Sequence, residues 1–225
     1  MCKLITILFL SVLSCKALAL GGDELGNGGD VLVYTQGDHR VFELLDLYEG
    51  RMIHGFEPRK NLIGDALTEM LSLLKTKDSA RACLYSSWAK DFVRERELLR
   101  YSLTDIQDEG TIYNPFGYRL AQAIIQDSGA FNRGNPRYYV DEAIFNHLNN
   151  LERSALIIHE LVYREGRLIN PEHFKNAMGV RFFNAFLFSQ QLLQVTDKNY
   201  KTYCQALGLP TTEDYCDPNH PIYKK

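Results

Sequence analysis

The sequence predicts a single α+β domain, dominated by helices and carrying a few short strands. Three observations predict it. Apolar residues recur at helical spacing over most of the chain. Short runs rich in β-branched and aromatic residues, bounded by turn residues, break that pattern in only a few places. No internal repeat or low-complexity segment divides the 225 residues, a length that suffices for one substantial core.

The N-terminus stands apart from that domain. Lys3 supplies a positive charge, Leu4 to Leu13 is apolar, and Ala17-Leu18-Ala19 fits a small-x-small cleavage site, so residues 1–19 read as a signal peptide. The apolar run is shorter than the roughly 20 residues a bilayer requires. Val12-Leu13-Ser14-Cys15 offers a second route, a lipobox whose Cys15 becomes a lipid-anchored first residue. Either route exports the chain, to the periplasm or beyond, or to a lipid anchor on the envelope. No later run is long enough to span a membrane, so no transmembrane segment is expected in the mature chain. The balance of 25 basic and 28 acidic residues is mildly acidic, and the basic residues are scattered. Nucleic acid is therefore excluded as a partner.

The elements follow in order. Residues 20–30 hold Gly21, Gly22, Gly26, Gly28 and Gly29 and read as a flexible lead-in. Within it, Asn27-Gly28-Gly29-Asp30 lacks the preceding strand and the Lys of a phosphate loop. The domain proper spans 31–203. Val31 to Tyr34 is a β-prone strand. A helix from Asp38 to Tyr48 puts Val41, Leu44, Leu45 and Tyr48 on one stripe, and a second, opened by Pro58, carries Leu62, Ile63, Ala66, Leu67, Met70, Leu71 and Leu74. Residues 78–100 continue helically around Trp88. Turns are expected at Asp105–Gly110 and Asn114–Gly117, a strand over Tyr118–Gln126, a loop over Ser128–Pro136 and a short strand at Tyr138–Asp141. Helices follow at 142–149 and 151–165, and a helical stretch runs from Pro171 to about Val195. Residues 204–225, with Pro210, Pro218 and Pro221, form a tail.

Processing removes Cys2, and cleavage after Ala19 removes Cys15 too, leaving Cys83, Cys204 and Cys216. Cys204 and Cys216 flank a short segment and are the expected disulfide in an oxidising compartment, closing the tail. Cys83 lies in the apolar context Ala80-Arg81-Ala82-Cys83-Leu84 and reads as a buried thiol.

Chemistry concentrates in one segment, Asn150 to Gly166. Asn150 is a fitting N-cap and Gly166 a fitting C-cap. Leu151, Ala155, Ile158 and Val162 form an apolar stripe, and Leu156, Ile157 and Leu161 fill much of the rest, so the helix is expected to be buried. His159 and Glu160 then enter the interior, where polar groups need partners. His159 and Tyr163 share a face, as do Glu160 and Arg164.

The pattern His159-Glu160-x-x-Tyr163 resembles the His-Glu-x-x-His helix of zincin metallopeptidases, in which two imidazoles hold Zn²⁺ and the Glu activates water. That resemblance implies His159 as a ligand and Glu160 as base. Gly166 matches the longer metzincin form, but Tyr163 and Ile169 stand where further His ligands belong. His173 is the nearest substitute ligand, with His54, His147 and Glu165 lacking positional support. A phenol is a poor zinc ligand, so no cofactor is favoured, with zinc the alternative. The bland reading is a structural network of His159, Glu160, Tyr163, Arg164 and Arg181, in which an Arg, either Arg164 or Arg181, compensates Glu160.

Three pieces, Gly-Asn-Gly-Gly-Asp at 26–30, Val-Phe-Glu-Leu-Leu-Asp-Leu-Tyr-Glu at 41–49 and Ala-Leu-Ile-Ile-His-Glu-Leu-Val-Tyr-Arg at 155–164, occur with Val-Arg-Phe-Phe at 180–183. Together they resemble small uncharacterised secreted proteins of Bdellovibrio-like predatory bacteria. The resemblance implies export and a Gram-negative setting, and no activity. The functional expectation is an exported, non-catalytic protein with a zincin-like scaffold helix. The alternatives are a metal-dependent hydrolase acting on peptide or cell-wall material, and a lipid-anchored envelope protein.

Overall fold

The computed structural model describes residues 25–27, 29–59, 65–104, 106, 112–127, 136–209 and 214–224. The expected signal peptide with Cys15, the start of the lead-in, Leu62 and Ile63, most of the Asp105–Gly110 turn, residues 128–135 of the next loop and Pro210 lie outside them. The described residues form eight helices and seven strands, an α+β domain in which helices predominate. No helix among them is long and apolar enough to cross a membrane.

Two small sheets flank the helices. In the first, β2 (Asp30–Gln36) is central, with β3 (His39–Leu44) and β5 (Arg119–Gln122) antiparallel on either side. The second runs β1 (Leu25–Asn27), β6 (Ile124–Asp127), β7 (Tyr138–Asp141) and β4 (Arg96–Leu99), with only β4 and β7 parallel. The helices are α1 (Leu45–His54), α2 (Ala66–Lys77), α3 (Ser79–Glu95), α4 (Glu142–His147), α5 (Asn150–Ile169), α6 (Met178–Leu187), α7 (Gln191–Gln194) and α8 (Asp197–Ala206). The longest, α5, lies at the centre. Its Leu156, Ile158, Leu161 and Val162 are wholly buried in one core with Trp88 and Phe92 of α3 and Phe183 of α6. Full burial of each such side chain contributes about 1.5–3 kcal/mol.

Several boundaries differ from expectation, each for a physical reason. The expected Asp38 helix starts only at Leu45. Val31 and Val33 need cross-strand partners, and Leu44 and Phe42 supply them after a turn at Gly37, whose φ of 61° suits glycine. The lead-in is strand rather than flexible coil from Leu25, where β1 pairs with β6. Gly29 is buried, and a Cβ there would lie 2.2 Å from the Leu156 side chain. The Tyr118–Gln126 strand is split into β5 and β6. The Pro171 stretch opens with turns and becomes helical only at Met178, and the 78–100 helix ends at Glu95 and gives way to β4. Helix α5 is longer than expected at both ends. Its N-cap is Asn149, in a capping box with Glu152, and Asn170 ends it before Pro171. Gly166 lies inside the helix and not at its end. The Phe174 ring occupies the place of a Cβ, 2.2 Å away.

The cysteine pairing is also corrected. Cys83 joins Cys216, with Cα atoms 5.2 Å apart, and Cys204 is a free thiol buried in α8. Proximity in sequence favoured Cys204, but α8 points that residue into the core, where Arg81 donates to its Sγ at 3.1 Å. The tail is thus tied to α3, and its Tyr215 and Ile222 are buried. The Cys83–Cys216 bond closes 133 residues. Replacing Cys216 with Ser is expected to lower stability by about 2–4 kcal/mol. Non-reducing peptide mapping should find Cys83 linked to Cys216, with Cys204 alkylated only after denaturation. A Cys204–Cys216 peptide would overturn the pairing.

Candidate functional site

The polar residues of α5 each face a different neighbour. His159 and Glu160 are wholly buried. His159 donates through Nδ1 to Asp46 Oδ2 of α1 at 2.8 Å, and Asn184 of α6 donates to the same oxygen at 2.6 Å and to the Ala155 carbonyl at 2.9 Å. Glu160 Oε1 accepts the Gly29 N–H at 2.8 Å. One turn on, the Arg164 guanidinium lies over the Trp88 ring, 4.2 Å from its centre, and meets Glu95 at 3.3 Å, which also takes Arg137 at 3.1 Å. Glu165 accepts a forked pair from Arg81 at 3.1–3.2 Å and the Tyr85 hydroxyl at 2.5 Å. Arg81 further donates to Asp78 at 2.7 Å and to Tyr200 at 3.0 Å.

These placements revise the expected network. Neither expected arginine compensates Glu160, because Arg164 is held by Glu95 and Arg181 is paired with Glu49 at 2.7 Å. The partner of His159 is Asp46 of α1 and not a residue of its own helix. Tyr163 is buried on α5, whereas His173 is exposed beyond the helix end, near Gly208. His54 and His147 are exposed at the ends of α1 and α4, and Glu165 is committed to Arg81. The described residues bring no three His, Cys, Asp or Glu side chains together as a metal-holding group.

Sequence reasoning missed Asp46, Asn184, Arg81 and Glu49. A signal was present. Asp46, Asn184 and Arg81 each interrupt an apolar run, as in Leu45-Asp46-Leu47-Tyr48 or Phe182-Phe183-Asn184-Ala185-Phe186, and a polar group inside such a run must find a partner; Glu49 carries no such signal.

The electrostatics follow from burial. Burial opposes charge on His159, but the Asp46 carboxylate lifts it to about 9. Burial likewise raises Asp46, yet His159, Asn184 and Arg181 outweigh it and hold it below its ordinary value. No cation among the described residues contacts Glu160, and burial pushes it up to about 7 against the pull of His159 and the Gly29 N–H. His159 Nε2, Glu160 Oε2, Asp46 Oδ1, Asn184 Oδ1 and the Tyr138 hydroxyl are buried with no hydrogen-bond partner among the described residues.

An Asp-oriented imidazole with an unpartnered Nε2 has the arrangement of a general base only when deprotonated, and at about 9 His159 holds its proton at neutral pH. Reaching a substrate is another matter, since Asp46, His159 and Glu160 are each 0% exposed. The two described cavities lie elsewhere. One of about 1080 Å³ lies between α2, α3 and the tail, and one of about 460 Å³ lies beside β3. No protein-family model, curated protein or solved structure matches the chain.

Proposed function

We propose that the chain is an exported, non-catalytic protein whose His-Glu helix is a buried structural spine rather than a working zincin helix. One observation carries this reading. His159 and Glu160, the residues a zincin would turn toward metal and water, are 0% exposed and bonded inward to Asp46 and Gly29. Export draws support from the apolar leader and from the Cys83–Cys216 disulfide, a bond that persists in oxidising compartments. The metal-dependent hydrolase is the second reading, favoured by the unpartnered His159 Nε2 and Glu160 Oε2. Elemental analysis of protein purified from its native host separates the two, with intact-mass measurement of its N-terminus. The expected result is less than a tenth of an equivalent of zinc and a chain beginning near Leu20 or at a lipidated Cys15. Near-stoichiometric zinc overturns the structural reading, and a retained Met1 on abundant protein overturns export.

A further inference from the structure

Strand β3 pairs with β2 along one edge, and among the described residues no strand pairs with the other. A cavity of about 460 Å³ runs beside that free edge, bordered by the consecutive residues Arg40, Val41, Phe42 and Glu43, by Tyr34 of β2, and by His147 and Asn149. Successive side chains leave opposite faces of a strand, so four in a row can border one cavity only along its edge.

Two hydrogen bonds fix which backbone groups point there. The Gly29 carbonyl accepts from Ala123, so in β2 the odd-numbered residues turn toward β5 and the even-numbered ones toward β3. With Leu32 opposite Glu43 and Tyr34 opposite Val41, it is Glu43 and Val41 that bond to β2. Arg40, Phe42 and Leu44 therefore present their N–H and C=O groups outward. Glu152 confirms the direction by accepting the Leu44 N–H with its carboxylate. The N–H and C=O groups of Arg40 and Phe42 remain facing the groove.

The charges select what fits. Glu43 is neutralised by Arg51 at 2.8 Å and takes the Tyr34 hydroxyl at 3.2 Å. Glu152 is engaged by the N–H groups of Asn149 and Leu44 at the start of α5. Arg40 lies over the Phe42 ring at 5.7 Å, with His147 against the same ring at 4.7 Å, and has no carboxylate partner among the described residues. We propose that this groove binds an extended peptide carrying an acidic side chain. The peptide adds a strand to β3 through the backbone of Arg40 and Phe42 and places its carboxylate on Arg40.

The test uses the full chain and three fluorescein-labelled, end-capped heptapeptides. One alternates Val and Glu, one alternates Val and Lys, and one is the Val–Glu peptide with alternate backbone nitrogens methylated. Fluorescence anisotropy is expected to show saturable binding of the Val–Glu peptide, at least tenfold weaker binding of the Val–Lys peptide, and none of the methylated one. Arg40→Ala should weaken the Val–Glu peptide at least tenfold while leaving the unfolding temperature unchanged, because Arg40 is exposed. Amide resonances of Arg40 and Phe42 should shift on titration. No saturable binding, equal binding of the methylated peptide, or indifference to Arg40→Ala overturns the proposal.

Discussion

Arg81→Met is expected to destabilise the protein by about 3–5 kcal/mol, because it leaves Glu165 buried without its counter-charge. The size follows from the geometry. Arg81 is 1% exposed and Glu165 0%, so neither can turn to water when its partner is lost. Tyr85 would remain as a donor to Glu165, but a phenol does not compensate a full charge. On the other side, Asp78 and Tyr200 lose the cation that bridges them, and the Leu209 carbonyl loses its donor. Helices α3, α5 and α8 meet at this one guanidinium. For a domain of this size, 3–5 kcal/mol corresponds to a fall in melting temperature of about 6–20 °C. Adding Glu165→Met to Arg81→Met should recover a large part of the loss, since removing both charges relieves the uncompensated burial. Thermal unfolding of the two single variants and the double one decides it. Additive losses would mean that the two residues do not act as a pair.

That network shows why the helices were legible in the sequence and their polar partners were not. Helix α5 could be read from its apolar positions alone, since a periodic pattern is a local property, and its burial followed from apolar residues on nearly every face. Strand β7 and helix α4 were legible for the same reason. The start of α1 was not. Val41, Leu44 and Leu45 satisfy a helical period as well as Phe42 and Leu44 satisfy a strand, and the pairing of those two with Val33 and Val31 decides between them. Partner choice is non-local throughout. Glu165 finds Arg81 across 84 residues, His159 finds Asp46 across 113, and Cys83 finds Cys216 across 133. Sequence spacing predicted i to i+4 partners on α5 itself, whereas the packed helix turns each polar group toward a different neighbouring element. Glu160 departs furthest from expectation, because its partner is the backbone of Gly29, which no side-chain inventory would offer.

Because Glu160 is met by an amide and not by an arginine, the two acids of this cluster should respond in opposite ways to losing their charge. Asp46→Asn is expected to cost about 3–5 kcal/mol at neutral pH, since it leaves the His159 imidazolium without its counter-ion. Glu160→Gln is expected to cost less than about 1 kcal/mol at pH 5, where Glu160 is already neutral, and to stabilise at pH 9, where the parent holds a buried, ionised carboxylate that no described cation contacts. The pH dependence follows from the shifts. Glu160 is raised from 4.5 to about 7, so the folded state holds its proton more tightly, and that stabilisation is complete below about pH 4.5 and gone above pH 7. His159 is raised from 6.5 to about 9, and its contribution is complete below pH 6.5 and lost as pH rises through 9. Asp46 is held low, so its contribution is present above its ordinary value of 3.8 and is lost in stronger acid. The three together place greatest stability for this cluster near pH 5 and a decline from there to pH 9. Melting temperatures measured across that range should fall steadily for the parent. They should fall only above about pH 6.5 for Glu160→Gln, and mainly below about pH 7 for Asp46→Asn, in which His159 has lost the group that raised it. A parent melting temperature indifferent to pH between 5 and 9, or a Glu160→Gln variant as damaged at pH 5 as Asp46→Asn is at pH 7, would show that the His159–Asp46 pair and Glu160 do not hold α5 in the manner their geometry implies.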